Sequence, residues 1–193
     1  AFCTWQSLNH AQYNHDVGRI RREKAKALVH LDFVISLYRD QMARGCYFLH
    51  EHPLHATSWQ HNRMRDLMAH EKVDQVAADQ CQHGAQAVSG SDKGQPIKKP
   101  TGFLSNASEL LKILNKRCAG RNGQCSRVGG GKHVPVGGRI AKEAAIYPPR
   151  LCRAISRGTA RQKMIDETGS YSSPTLSRRQ PMAITKNVKR SPI

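Results

Sequence analysis

The sequence has no long apolar run. Its densest apolar stretch, from Cys46 to Leu49, covers four residues, whereas a helix that spans a bilayer needs roughly 20. The N-terminus also lacks the charged and apolar segments of a signal peptide. We therefore expect an intracellular protein, nuclear or cytoplasmic, with no membrane partner. The chain opens on Ala1 without an initiating methionine, so we also expect coding sequence upstream of it.

Closely paired cysteines are absent as well. The six cysteines are spread along the chain, and no two of them have the CxxC spacing. In a chain of 193 residues, this distribution does not indicate a disulfide scaffold. We interpret the cysteines as reduced thiols.

Acidic residues are scarce in the second half of the chain. The whole sequence has 31 Lys and Arg against 14 Asp and Glu, a formal net charge of +17. Residues 1–97 contribute +1, from 11 basic and 10 acidic side chains, and residues 98–193 contribute +16, from 20 and 4. This imbalance favours an acidic partner, of which nucleic acid is the commonest. A solvated basic tail that binds nothing in particular is the alternative.

The apolar spacing of the first half predicts alternating helices and strands. Apolar residues recur every three or four positions from Asp16, which can cap a helix, to Gly45, which can end it. An aromatic-rich strand follows at 46–50, then a helix at 58–70 and a second short strand at 73–78. Two helix-to-strand steps in succession predict an α/β fold with a partial Rossmann-like parallel sheet and flanking helices.

The rest of the chain divides into a further helix, a loose connection and a tail. The helix begins at Asn106 or Ser108 and ends near Cys118. Glycine-rich sequence then predicts a flexible linker, and the last segment has too few large apolar residues to fold. The predicted segments are an α/β fragment (1–118), a glycine-rich linker (119–146), a closing helix (147–162) and a disordered basic tail (163–193).

Histidines surround the end of the first predicted strand, where ligands of open α/β sheets bind. On a strand, His50 and His52 face one way and Glu51 the other. With His55 and His61 nearby, a metal cluster and a metal-dependent nuclease are possible alternatives. The spacing matches no zinc template, so we predict no structural metal here.

A second possible zinc set consists of Cys118, Cys125 and His133. Their intervals are irregular and a fourth ligand is not evident, so no metal site is predicted. The glycines at 129–131 lack the spacing of a phosphate-binding loop. We interpret them as linker.

Four short blocks of sequence occur in a characteristic order. They are residues 1–6 (AFCTWQ), 50–53 (HEHP), 79–84 (DQCQHG) and 98–106 (KKPTGFLSN). In this order they resemble the cytosine-specific DNA methyltransferases, especially their phage-like branch and related domains in mobile-element polyproteins. The first block resembles the segment after the Pro-Pro-Cys nucleophile motif, and the second resembles the Glu-Asn-Pro or Glu-Asn-Val motif. The last two resemble the Gln-Cys-x-Tyr-Gly, Lys-Pro-Thr and Thr-Asn series.

The resemblance implies a role for Glu51, because the family's corresponding glutamate binds the flipped cytosine at its ring nitrogen. Cys3 stands where a serine is usual and is not the nucleophile. His52, His83 and Ser105 replace the family's asparagine, aromatic residue and threonine. The Pro-Pro-Cys and glycine-rich cofactor motifs are absent from the sequence. The resemblance therefore implies a fragment that is inactive alone, with S-adenosylmethionine as the cofactor of the parent protein and no cofactor expected for the fragment.

These observations give a leading and an alternative function. The leading function is a fragment of a DNA cytosine methyltransferase-like protein, with Glu51 as the catalytic candidate. The alternative is a non-enzymatic protein whose residues 98–193 bind nucleic acid weakly and without sequence preference. The predicted nucleic-acid contacts are Lys98, Lys99, Thr101, Arg178, Arg179, Lys189 and Arg190.

Overall fold

The structure is a computed structural model, and it describes Phe2 and residues 16–168. Helices pack on both faces of a three-stranded sheet. The helices are α1 (Val17–Ala43), α2 (Asn62–Met68), α3 (Ser108–Leu114), α4 (Gly138–Glu143) and α5 (Pro149–Thr168), with 3-10 turns at Thr57–Gln60 and Gln80–His83. The strands are β1 (Leu49–Pro53), β2 (Asp74–Asp79) and β3 (Pro100–Ser105).

The first helix begins and ends where its sequence signals predict. The Asp16 side chain accepts a hydrogen bond from the Arg19 backbone N–H at 2.9 Å, which satisfies one of the unpaired donors in the first turn. Gly45 follows the helix with a φ of +70°, a conformation that glycine adopts without strain. Although α1 has 27 residues, neither it nor any other helix within residues 16–168 is apolar enough to span a membrane.

The sheet is antiparallel, in the order β1-β3-β2. Phe103 of β3 lies opposite Glu51 of β1 on one side and opposite Val76 of β2 on the other. The strands β1 and β2 therefore run in the same direction without touching. The predicted parallel sheet is wrong because the sequence interpretation missed β3, which separates them. The fold class is correct only in its coarser part, a mixture of helices and strands.

Each face of the sheet supports its own hydrophobic core. Phe103 and Val76 face α3 and α5, where they pack with Leu110, Leu111 and Leu151. The neighbouring residue of β3 points the other way, because side chains alternate along a strand. The core on that opposite face contains the buried residues Leu31, Ile35, Phe48, Trp59, Met64, Leu67 and Leu104. Both faces of the sheet are therefore covered by apolar side chains from the helices.

A third, smaller core occupies the segment that was predicted to be a flexible linker. Ile140 of α4 and Ala144, which directly follows this helix, are buried together with Ile97, and Val134 and Val136 pack against them. Segment 119–146 therefore contributes a helix and apolar contacts. We call this unit the α4 lobe.

The closing helix extends beyond its predicted end at residue 162. Residues 163–168, which were predicted to belong to the disordered tail, continue α5. The Asp166 carboxylate accepts hydrogen bonds from the Tyr47 hydroxyl and from Gln162 Nε2, which ties this last part of the helix to the sheet layer. The rest of the predicted tail, 169–193, lies outside the described residues.

Candidate functional site

Glu51 is the central residue of β1, two residues before the C-terminal end of the strand, and histidines lie on the opposite face, as the strand alternation predicts. The imidazole rings of His50 and His52 stack with their centroids 5.6 Å apart. Glu51 instead shares a face with Phe103 and approaches Tyr147, which precedes α5.

The Glu51 carboxylate is only partly satisfied by its neighbours. Burial raises the pKa of Tyr147, as do the charge of Glu51 and a hydrogen bond between the two side chains. Glu51 Oε1 is buried, and the described residues provide no hydrogen-bond partner for it. Because a buried polar atom without a partner costs free energy, this oxygen marks a place where a donor from a ligand would be stabilised.

A cavity of about 320 Å³ opens at the same end of β1. The predicted nucleic-acid contacts Lys98 and Lys99 both line it. Lys99 Nζ donates to the Ala144 carbonyl at 3.2 Å and lies 5.9 Å from the centroid of the Tyr147 ring. The cavity walls otherwise consist of Pro53, Leu54, His55, Pro100, Val136, Ala141, Ala144 and Ala145. Lys98 and Lys99 therefore line a cavity at the C-terminal end of β1, and Lys99 and Glu51 both approach Tyr147.

Thr101, another predicted nucleic-acid contact, does not line this cavity. Thr101 is fully buried, and its hydroxyl accepts from Gln80 Nε2 and donates to the Lys99 carbonyl, both at 3.1 Å. Its side chain therefore supports the strand and is not available at the surface. The remaining predicted contacts, Arg178, Arg179, Lys189 and Arg190, lie outside the described residues.

His50 belongs to an aromatic group on the α1 side of the sheet. Its Nδ1 atom is 3.1 Å from the Tyr38 hydroxyl, and its ring meets Trp59 edge-on at 5.2 Å. Burial, followed by the positive charge of His52, lowers the pKa of His50 to about 4. Burial also lowers the pKa of His52, although the charge of Glu51 opposes this shift. Both pKa shifts favour the neutral imidazole, and His50 is buried whereas His52 is half-buried.

The other histidines of the predicted cluster point elsewhere. His61 Nε2 pairs with Asp32 Oδ1 at 2.7 Å, and His55 lines the cavity. Among residues 16–168, the potential metal-ligand group lies in a different part of the fold.

That group assembles three thiols and one imidazole around a common point. Its members, here called the cysteine–histidine cluster, are Cys81, Cys118, Cys125 and His133. Their ligand atoms all lie within 4.8 Å of one another. From the sequence, Cys118, Cys125 and His133 were a possible zinc set, but no metal site was predicted because a fourth ligand was not evident. That interpretation is corrected by Cys81, which the 3-10 turn after β2 brings to the other three.

A hairpin-like turn brings Cys125 and His133 together. The Cys125 N–H donates to the Gly131 carbonyl at 2.8 Å, and the His133 N–H donates to the Gly123 carbonyl at 2.7 Å. Gly131 has a φ of +100°, and a Cβ atom there would lie 2.8 Å from Pro96 Cδ. The glycine run therefore forms a tight turn that packs against Pro96. It is not the flexible linker that its composition predicted.

Hydrogen bonds give the cluster's sulfur atoms different environments. Burial alone would raise the pKa of Cys118, but hydrogen bonds from Ser126 and from the Gly120 backbone outweigh it and lower the pKa to about 6. At Cys81, burial followed by a hydrogen bond with Cys125 raises the pKa to about 12. Gln82 Nε2 lies 3.7 Å from the sulfur atoms of both Cys81 and Cys125.

Exposed arginines on α5 form a basic surface that the sequence analysis did not single out. Arg150, Arg153 and Arg157 are exposed, and their spacing places them on one side of the helix. A helical reading of charge spacing within 147–162 could have found this stripe. We call it the α5 arginine face.

Known proteins give no relative for this chain. No protein family, no curated protein and no solved structure matches it. Its function must therefore be inferred from the chain's own residues.

Proposed function

We propose that this chain is part of a DNA cytosine methyltransferase-like protein and that Glu51 binds the target cytosine. The observation that carries the proposal is the buried Oε1 atom of Glu51, which lacks a partner among the described residues. Cytosine offers an amino donor beside an acceptor ring nitrogen. A carboxyl group that holds a proton can pair with both, and it can support charge at the ring nitrogen during attack on the base.

The surroundings of Glu51 include side chains that can contact a nucleotide. Lys98 and Lys99 line the adjacent cavity, where their ammonium groups can approach a phosphate. Tyr147 lies beside the carboxylate and offers a ring face on which an extruded base can stack. The carboxyl group, the two cations and the aromatic ring can contact the edge of a flipped base, the phosphate and the ring face of the base, respectively.

The sequence lacks the motifs that supply the nucleophile and the cofactor site for methyl transfer. Methylation at carbon 5 needs a thiolate that attacks carbon 6 of the flipped base, and the sequence has no Pro-Pro-Cys motif. The strand ends within residues 16–168 lack a glycine-rich turn that opens a helix, so these residues do not fit S-adenosylmethionine. We therefore assign Glu51 to base binding and assign no methyl transfer to this chain alone.

Proton uptake tests this assignment. A carboxylate must gain a proton to pair with both cytosine positions, whereas it accepts the ring N–H of thymine without one. The test compares two duplexes that carry either cytosine or thymine opposite an abasic site. We expect the ratio of the affinity for the cytosine duplex to that for the thymine duplex to rise by up to about tenfold for each unit that the pH falls. Fluorescence anisotropy between pH 8 and 6 measures both affinities.

Glu51→Gln provides the matched control, because its amide pairs with cytosine and does not titrate. Its cytosine preference should be independent of pH, while its affinity for the thymine duplex stays close to that of the unmodified chain. A preference that does not change with pH in the unmodified chain, or that changes equally in Glu51→Gln, would count against the assignment.

A second candidate function is non-enzymatic binding of nucleic acid through the basic half of the chain. The α5 arginine face favours it, since three exposed guanidinium groups on one side of a helix can follow a phosphate backbone. Such binding would be weak and independent of sequence. It requires neither Glu51 nor the cavity.

Salt dependence measures the contribution of the α5 arginine face. Replacing its three arginines by glutamine should reduce the slope of log affinity against log salt by about 0.9 for each phosphate of duplex DNA that these arginines neutralise. The control replaces Arg21, Arg22 and Lys24, which are exposed on α1, by glutamine and should leave most of the slope unchanged. Equal slopes for the two triple variants would remove the α5 arginine face from DNA binding.

A further inference from the structure

The cysteine–histidine cluster has the donor set of a structural metal site. Three sulfur atoms and one imidazole nitrogen converge from separate parts of the chain. Two of the thiols are buried and the other two groups are partly buried. Soft sulfur ligands with one imidazole in a four-ligand set favour zinc among the common divalent ions. We propose that the cysteine–histidine cluster binds one zinc ion in a closed, structural site.

Two of the distances between donor atoms agree with tetrahedral zinc. Zinc–sulfur bonds of about 2.3 Å and zinc–nitrogen bonds of about 2.0 to 2.1 Å, at the tetrahedral angle, separate two sulfurs by about 3.8 Å and a sulfur from a nitrogen by about 3.6 Å. Cys118 Sγ lies 3.8 Å from Cys125 Sγ and 3.6 Å from His133 Nε2. The sulfur–sulfur distance is well beyond the roughly 2.05 Å of a disulfide bond.

Hydrogen-bond donors surround the sulfur atoms as they do around metal-bound thiolates. The Ser126 backbone N–H and hydroxyl each lie 3.5 Å from Cys118 Sγ. Gln82 Nε2 approaches the other two sulfurs at 3.7 Å and also donates to Ser126 Oγ at 3.2 Å. Such outer partners orient ligands and tune the affinity for the metal.

Zinc would hold together segments that lie far apart in the sequence. Cys81 follows β2, Cys118 follows α3, and Cys125 and His133 belong to the hairpin-like turn. That turn leads directly into Val134 and Val136, which pack in the α4 lobe. Because all four positions are filled by protein atoms, the site has no open position for a substrate. Its role is to fix the α4 lobe beside the cavity that Lys98 and Lys99 line.

Metal content of the full chain, purified without added metal and without a histidine tag, is the first test. We expect one zinc ion per chain by inductively coupled plasma mass spectrometry. Cys81→Ser and Cys125→Ser should lose it, whereas Cys46→Ser and Cys152→Ser should keep it, because those two thiols are exposed and outside the cluster. Full zinc content in both ligand variants would overturn the proposal.

Gln82, which contacts the sulfur ligands without being a ligand itself, gives a test that leaves all four ligands in place. Gln82→Ala should bind zinc roughly 10- to 100-fold more weakly than the unmodified chain in competition with a chromophoric chelator. Gln60→Ala is a matched control, since this exposed glutamine lies in the other 3-10 turn. Equal zinc affinity in these two variants would contradict the proposed outer partner.

Cobalt substitution identifies the ligands in the unmodified chain. Cobalt(II) should produce intense thiolate-to-metal absorption in the near ultraviolet and the visible bands of a tetrahedral ion, and added zinc should abolish both. Absence of zinc in the purified chain together with no spectral change on adding cobalt would refute the site. So would a loss of two hydrogens in the mass of the intact chain that locates a disulfide between Cys118 and Cys125.

Discussion

Phe103→Ala should lower the free energy of unfolding by about 3 to 5 kcal/mol, the usual cost of removing a buried phenylalanine. Phe103 is fully buried at the centre of β3, between Glu51 and Val76. Its ring contributes to the core beneath α3 and α5. Removing the ring leaves a cavity next to β3, the central strand with which β1 and β2 both pair.

Phe33→Ala is the control for this prediction. Phe33 is 57% exposed on α1, and substitutions at such positions usually change stability by less than about 0.5 kcal/mol. Urea unfolding followed by far-ultraviolet circular dichroism gives both values. If the two substitutions cost the same, β3 is not the centre of the fold.

We also expect a loss of stability as the pH falls from about 6.5 to about 4, because of His50. Its pKa in the folded chain is lowered to about 4 from an ordinary value of 6.5. Between these values the unfolded chain binds a proton that the folded chain does not, so stability rises with pH. The full shift corresponds to about 3 kcal/mol, present above pH 6.5 and lost as the pH approaches 4.

His50→Asn isolates this contribution, since its side-chain oxygen can remain near the Tyr38 hydroxyl that meets His50 Nδ1. We expect the slope of unfolding free energy against pH to flatten in this variant, whatever its stability at neutral pH. His30→Asn, at an exposed position of α1, should preserve the slope. Identical slopes for His50→Asn and the unmodified chain would show that His50 is not the titrating group.

Local signals in the sequence predict the first helix and the face of each residue in β1. Asp16 and Gly45 define the two ends of the helix through backbone groups within a few residues of their own positions. The alternation of His50, Glu51 and His52 follows from strand geometry. The strand β3 could not be found in this way. Its first residue is a proline and its third is a glycine, two residue types that are depleted in strands. The strand is stabilised by pairing with β1 and with β2.

The fourth member of the cysteine–histidine cluster was missed for a related reason. Ligand spacing is informative when the ligands lie close together along one turn, as Cys125 and His133 do. Cys81 reaches them only because β2 pairs with β3 and α3 packs on the same sheet. The glycine run was likewise interpreted from composition alone, whereas the approach of Gly131 to Pro96 requires glycine in a packed turn.

One measurement tests the central claim, that Glu51 and its neighbours bind an extruded cytosine. Labelled chain is titrated with the duplex that carries cytosine opposite an abasic site, and backbone amide shifts are followed by nuclear magnetic resonance. We predict the largest changes at Glu51, Lys99 and Tyr147, and we predict that the thymine duplex at the same pH and concentration changes them much less. Changes confined to the α5 arginine face, and equal for the two duplexes, would contradict the claim and favour non-specific binding instead.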